Sequence, residues 1–188
     1  MRNAAACLLF LFIVATVCAS ARAGAATIRM LEVTRMDDTY VVDFDVLLAA
    51  TPAAARAILS DYKNWPRLAE NMNKPTLVKT FADGRQRIRL SFRSCMLFLC
   101  KTIEQIKDVE IRPDGDIVSI MVPGDSDFRY GREHWQFDLQ YGQTRVRYHA
   151  ELVPGFSLPP LIGAWLLKRK LRQTLIKTAT NLEALAAP

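Results

Sequence analysis

Hydrophobic positions recur along this chain with two different periods. In residues 39–48 nearly every second residue is apolar, which predicts a strand with one face toward a core. About six more segments of this kind follow between residues 76 and 152, divided by turn sequences such as Ala-Asp-Gly at 82–84. Apolar residues at 159–186 instead recur every three to four positions, the period of an amphipathic helix. The pattern therefore predicts an antiparallel sheet followed by one long helix.

The C-terminal helix is the only predicted element long enough to cover such a sheet. At about 28 residues it would extend roughly 40 Å, and an antiparallel sheet must bury its apolar face. Thr51 and Pro52 form a helix start, and residues 62–66 interrupt that helix, so two short helices are expected after the first strand. We expect an α+β fold in which a curved antiparallel sheet of about seven strands wraps the long C-terminal helix. The space between them would suit a hydrophobic small molecule.

Residues 1–23 have the pattern of a signal peptide. Arg2 precedes an apolar run at 4–17, and the small residues at 19–21 and 23 fit a cleavage site. We predict cleavage near Ala23, which would leave residues 24–188 as one domain exported to the periplasm. The alternative is a retained membrane anchor, because about 18 apolar residues can just span a bilayer.

Composition and charge narrow the classes of function. A hydrophobic content of 51% and a charged content of 23% are typical of a globular protein. The net charge is +6, and cleavage would remove Arg2 and Arg22 from it. So mild and diffuse an excess does not indicate nucleic-acid binding, although it suits an anionic membrane surface. The chain has 2 histidines, neither at a zinc-type spacing from the cysteines, so we expect no metal site and no cofactor.

Cys95 and Cys100 are the cysteines that would remain after cleavage. In an oxidising compartment such a pair predicts a disulfide, here across a tight hairpin. The alternative is a pair of free thiols in an apolar strand.

The order of elements resembles the START-like, or helix-grip (SRPBCC), superfamily, in its polyketide cyclase and coenzyme-Q-binding branch. Residues 53–66, which end in Asp-Tyr and Trp-Pro pairs, resemble the first helix of that family. Trp135 and the turn at 142–146 resemble its penultimate hairpin, and Pro159-Pro160 fits the start of its long helix. The resemblance covers residues 39–186 and implies the helix-grip fold. The export signal and the cysteine pair depart from cytoplasmic and mitochondrial members, which argues against a ribosomal or respiratory role.

The resemblance and the predicted cavity together indicate a binding or carrier protein for a lipid or another hydrophobic molecule. The alternative is a cyclase or aromatase-like enzyme, which would need Asp127 or His134 within reach of the cavity. A third option is an interaction module whose interior is filled by side chains. Alternation places His134 and His149 on the polar face of the sheet, so we assign no catalytic residue. The predicted pocket lining is Phe44, Val46, Tyr62, Trp65, Phe92, Met121, Phe128, Trp135, Phe137, Tyr148 and Leu171.

Two further groups of residues are candidates for ligand or membrane contacts. Asp127, Tyr130 and Arg132 in or beside the polar loop at 124–131, together with Lys168, could contact a ligand head group; alternatively the loop is an ordinary turn whose side chains bind their own backbone. At the start of the long helix, apolar side chains precede a basic run and could touch an anionic bilayer transiently. The other interpretation is that they pack on the rim of the sheet. The membrane-contact candidates are Phe156, Leu158, Trp165, Arg169 and Lys170.

Overall fold

The computed structural model describes residues 26–96, 99–159 and 161–187. The predicted signal peptide, residues 1–23, lies outside these ranges. No helix within them is long and apolar enough to cross a membrane.

The structure is an eight-stranded antiparallel sheet that curves around one long helix, as the α+β prediction required. Spatially the strands run in the order β1-β2-β8-β7-β6-β5-β4-β3, so β1 and β3 form the two edges. The helices are α1 (Pro52–Ser60), α2 (Trp65–Leu68) and α3 (Gly163–Ala186), with a 3₁₀ turn at Tyr62–Asn64 between the first two. The strands are β1 (Thr27–Met36), β2 (Thr39–Leu48), β3 (Thr76–Thr80), β4 (Gln86–Met96), β5 (Leu99–Ile111), β6 (Ile117–Met121), β7 (Phe128–Gln140) and β8 (Gln143–Pro154).

The sequence pattern placed the first strand at Thr39 and missed β1. This strand lies at the edge of the sheet and buries only Val33 fully, so its residues show little alternation. Its pairing with β2 over Thr27–Met36 is what makes it a strand, and that pairing is a tertiary property.

The first helix has the predicted start. The Thr51 side chain accepts a hydrogen bond of 3.2 Å from the Ala54 backbone N–H, and Pro52 occupies the first turn. The Trp65 indole donates a hydrogen bond of 2.9 Å to the Leu59 carbonyl. This bond fixes the short α2 against the end of α1.

The long helix begins at Gly163, four residues later than the apolar pattern predicted. A Cβ at Gly163 would lie 2.6 Å from the Leu158 Cβ, so the entering loop packs too closely for a side chain. The helix contacts β1, β2, α1 and α2. Both carboxylate oxygens of Glu183 accept hydrogen bonds from the Ala49 backbone N–H, at 2.9 and 3.0 Å, and Arg172 donates one of 2.7 Å to the Leu31 carbonyl. These contacts hold α3 to one side of the sheet.

The disulfide prediction is confirmed. Cys95 pairs with Cys100 in the antiparallel register of β4 and β5, their Cα atoms are 4.0 Å apart, and their sulfurs are bonded. The bond ties together the two strands at the closed end of this hairpin.

Candidate functional site: a cavity between the sheet and α3

A cavity of about 740 Å³ lies between α3 and the inner face of the sheet, mostly on β4–β8. It exists because α3 is held against β1 and β2, while the sheet curves on through β8 to β4. Its volume falls within the roughly 300–1,000 Å³ of drug-sized ligand sites. The wall is largely apolar and includes Trp65, Leu90, Phe92, Ile103, Phe128, Trp135, Leu152, Leu167 and Leu171.

Among the polar side chains in this wall, four from neighbouring strands β5–β8 contact one another. Glu133 on β7 is central: its carboxylate accepts hydrogen bonds of 2.7 Å from the Lys107 ammonium and 2.6 Å from the Ser119 hydroxyl. The Tyr148 hydroxyl donates a longer one of 3.4 Å to the other carboxylate oxygen. The Lys107 ammonium also lies 5.0 Å from the centre of the Trp65 ring, within range of a cation–π contact. We call Lys107, Ser119, Glu133 and Tyr148 the polar cluster.

The polar cluster holds a charged carboxylate inside the cavity. Burial raises the pKa of Glu133, but the Lys107 charge and the hydrogen bonds from Lys107, Ser119 and Tyr148 outweigh it, so the net pKa lies below the usual range. Burial, and then the Glu133 charge, raise the pKa of Tyr148 well above its usual value. Near neutral pH the cluster therefore contains an ion pair and a protonated phenol.

Sequence reasoning predicted Tyr148 as a lining residue but missed Lys107, Ser119 and Glu133, although alternation carried a signal for them. Glu133 lies two residues before Trp135, so it faces the same side of β7 as that predicted inward residue. Lys107 has the same relation to Val109 on β5. Apolar residues alone defined the predicted inward face, so charged residues on that face were not among the candidates.

Six of the eleven predicted lining residues line the cavity: Trp65, Phe92, Phe128, Trp135, Tyr148 and Leu171. The structure places the other five elsewhere. Phe44 and Val46 are buried in the core on β2, the strand that α3 covers directly. Phe137 packs beneath Arg56, whose guanidinium carbon is 5.7 Å from the ring centre. The remaining two are Met121, which packs against the backbone of Gly131, and Tyr62, which lies in the 3₁₀ turn against the core.

The four predicted head-group residues do not line the cavity. Asp127 accepts a hydrogen bond of 2.8 Å from the Glu104 backbone N–H and forms a 3.0 Å ion pair with Lys101. Burial raises its pKa, and these two partners lower it by more. Asp127 therefore bonds to β5, outside its own loop, and it fits neither the head-group role nor the alternative of a turn bonded to its own backbone. The other three residues are Tyr130, which is exposed and bonds Glu151 at 3.4 Å, Arg132 and Lys168.

Both histidines lie on the outer face of the sheet, as alternation predicted. His134 pairs with Asp116 at 2.7 Å and His149 with Asp43 at 2.8 Å. Neither histidine lines the cavity, and neither does Asp127. The enzyme hypothesis required Asp127 or His134 within reach of the cavity, and neither of them lines it.

The predicted membrane-contact residues are divided by the fold. Phe156 packs edge-on against Phe128 with ring centres 5.8 Å apart, and Leu158 packs against the core beside it. Trp165 is 57% exposed, and the guanidinium carbon of Arg169 lies 5.4 Å from the centre of a Trp165 ring. Lys170 lines the cavity.

Solved structures of other proteins share this fold, although sequence comparison finds no match. No protein-family model and no curated protein matches the chain in sequence. A START superfamily protein from Mycobacterium smegmatis matches with a TM-score of 0.62 and 19% identity, over 78% of this chain and 96% of that one. The Zhui aromatase/cyclase from Streptomyces sp. R1128 matches with a TM-score of 0.63 and 14% identity, over 79% of this chain and 93% of that one. A STAR-related lipid transfer protein fragment from Xanthomonas axonopodis matches with a TM-score of 0.51 and 17% identity, over 84% of this chain and 97% of that one. The predicted resemblance is thereby confirmed at the level of architecture: this chain has the helix-grip fold of the START-like proteins.

Proposed function

We propose that this protein is an exported binding or carrier protein for a lipid or another hydrophobic small molecule, held between the sheet and α3. The observation that carries the proposal is the cavity of about 740 Å³ with its largely apolar wall. Burial of about 400 Å² of apolar ligand surface would contribute on the order of 10 kcal/mol before association costs. Binding of this kind needs no catalytic group. A lipid transfer protein among the structures with this fold supports the proposal.

The polar cluster gives this ligand a further property. Lys107 and Glu133 neutralise each other, so a charged ligand group would have to disrupt their 2.7 Å contact. A neutral hydroxyl or carbonyl can instead hydrogen-bond to the cluster and leave the ion pair intact. We therefore expect the part of the ligand that reaches the inner face of β5–β8 to carry a neutral polar group.

An aromatase/cyclase also has this fold. The alternative function is therefore an enzyme that acts on a polyketide-type substrate. Such an enzyme needs a proton donor or acceptor in the cavity. Glu133 already accepts three hydrogen bonds and has a lowered pKa, which makes it a weak base. The arrangement favours binding over proton transfer.

The first test is direct identification of a ligand. Organic extraction of the purified protein, followed by mass spectrometry, should release an apolar molecule, and fluorescent lipid analogues should bind. Leu171→Trp would place an indole in the cavity and should reduce uptake at least several-fold. Ala184→Trp is the matched control, because Ala184 lies on the same helix, exposed and outside the cavity. The proposal is contradicted if extraction releases no molecule and the protein takes up none of the fluorescent lipid analogues. Equal uptake by the two variants also contradicts it. Chemical conversion of a bound analogue would establish the enzyme alternative.

We further propose that the start of α3 touches an anionic membrane surface transiently during loading or release. Leu161 is fully exposed and has a φ of +67°, a left-handed conformation that leucine rarely adopts. It lies beside Ile162 and Trp165, which are also exposed, and Arg169 follows one turn later. Apolar side chains next to basic ones are the pattern of interfacial binding.

Charge reversal tests this contact. Arg169→Glu with Lys170→Glu should reduce cosedimentation with anionic vesicles at least several-fold, because each basic residue near such a surface contributes about 1 kcal/mol. Arg85→Glu is the control, since Arg85 is an exposed arginine paired with Asp83 in the β3–β4 turn. Equal vesicle binding by wild type and the double variant would eliminate the membrane contact. Cell fractionation with and without residues 1–23 tests export separately.

A further inference from the structure

A second, smaller pocket lies beside the cavity and has a different chemical character. Its volume is about 420 Å³. Residues of the β1–β2 turn, Arg129 on β7 and the first turn of α3 line it, and Phe156 and Pro159 separate it from the main cavity by lining both spaces. We call it the arginine pocket. Its polar lining residues are Arg35, Asp38, Tyr40 and Arg129.

The most informative residue in the arginine pocket is Tyr40. Its side chain is 1% exposed, and its hydroxyl has no hydrogen-bond partner within residues 26–96, 99–159 and 161–187. A buried polar atom without a partner costs about 1–3 kcal/mol. Burial raises the pKa of Tyr40 against the opposing charge of Arg35, so the hydroxyl stays protonated and can donate. Tyr40 lines the arginine pocket, so an acceptor bound there would supply the partner that this donor lacks.

The charges around this hydroxyl favour an anion. The Arg35 guanidinium carbon is 5.6 Å from the centre of the Tyr40 ring, and the Nε atom donates to the Asp37 carbonyl at 2.6 Å. Arg129 forms an exposed ion pair with Asp38 and a 3.4 Å hydrogen bond to the Pro154 carbonyl. Two guanidinium groups thus face a single carboxylate, that of Asp38.

The first turn of α3 adds to this positive character. Ala164 of that turn lines the pocket, and α3 is 24 residues long. The N-terminus of a helix carries a partial positive charge and favours anions. A tetrahedral oxyanion offers enough acceptor oxygens to meet two guanidinium groups and a phenol together, which a carboxylate does less well.

We propose that the arginine pocket is a binding site for a phosphate group, held by Arg35, Arg129, the Tyr40 hydroxyl and the first turn of α3. The group would belong either to a small soluble phosphate or to a phospholipid head group. The exposed Leu161 also lines this pocket, so a head group would enter at the same end of the molecule as the proposed membrane contact. The site is separate from the cavity and does not depend on a ligand there.

The experiment has two arms that distinguish the sources. In the first, inorganic phosphate and glycerol phosphate are titrated into the purified protein at pH 7 and low ionic strength, by calorimetry. In the second, cosedimentation is measured with phosphatidylcholine vesicles that contain or lack phosphatidic acid. The variants are Arg35→Gln and Tyr40→Phe, with Arg85→Gln as the control for loss of one exposed arginine.

We expect each pocket variant to weaken phosphate binding roughly tenfold, because each removes a hydrogen bond to a charged group, and Arg85→Gln to match wild type. Binding lost only in the first arm identifies a soluble phosphate, and binding lost in the second identifies the head group; both support the site. Absence of binding in both arms, or equal binding by all three variants, overturns it. Uptake of a lipid analogue into the cavity is measured on the same variants and should not change. If the wild-type protein takes up no lipid analogue, that result counts against the carrier proposal but not against the phosphate site.

Discussion

Replacement of Glu133 by glutamine tests whether the polar cluster is as tightly coupled as its geometry indicates. Glu133→Gln keeps the shape of the side chain and removes its charge. Lys107 would then lie buried without a counter-ion, since the two side chains are only 11% and 13% exposed and their charged atoms are 2.7 Å apart. Removal of one partner from a buried ion pair costs about 3–5 kcal/mol. Glutamine still offers an acceptor to Ser119 and Tyr148, so we expect a loss of about 3 kcal/mol.

Urea unfolding at pH 7 measures this loss, and thermal unfolding should show a fall in Tm of about 6–12 °C for a domain of this size. The double variant Glu133→Gln with Lys107→Met should recover most of the stability, because it removes the unpaired charge as well. Asp83→Asn is the control for an exposed pair and should unfold near the wild-type urea concentration.

The pH dependence provides a second measurement. The pKa of Glu133 is lowered in the folded protein, so its contribution is fully present above the unfolded value, about 4.3. It is lost as the pH falls through the lower folded value. The difference between wild type and Glu133→Gln should therefore be constant near neutral pH and shrink in acid. A cost below about 1 kcal/mol at pH 7, or a difference that grows in acid, would refute the reasoning.

Three other changes have expected outcomes. Tyr40→Phe should raise the free energy of unfolding by about 1 kcal/mol without phosphate, because it removes a buried hydroxyl that has no partner; a lower Tm would show that the hydroxyl is satisfied. Reduction of the Cys95–Cys100 bond should cost about 2 kcal/mol, the chain-entropy value for so short a loop, and an unchanged urea midpoint would contradict this. Glu183→Gln should cost about 1–2 kcal/mol in urea unfolding through its weaker bonds to the Ala49 N–H, and wild-type stability would show that α3 is held by apolar packing alone.

Much of the fold was predictable because its signals are local. Alternation in β2 and β8 identified buried faces, and the Thr51-Pro52 start of α1 and the cysteine pair needed only neighbouring residues. The edge strand β1 was not predictable in this way, because most of its residues remain exposed. Leu139 shows the opposite case: it alternates in step with Trp135 and Phe137, yet it is 69% exposed near the end of β7.

The site was only partly predictable. Aromatic residues on inward faces were natural candidates, and Trp65, Trp135 and Tyr148 do line the cavity. Phe44 and Val46 satisfy the same rule but form core, because α3 rests on their strand. Alternation assigns a residue to a face of the sheet. It does not report which part of that face the helix covers.

By itself the sequence determined that a one-sided antiparallel sheet must wrap a long amphipathic helix, because burial of apolar surface follows from residue period alone. Only the tertiary structure decided where helix and sheet separate and therefore where a ligand fits. It also brought Lys107, Glu133 and Tyr148 from three strands into one cluster, and Tyr40 beside Arg129. Such contacts join residues far apart in the chain, and their energies depend on burial and distance, which only the packed molecule sets.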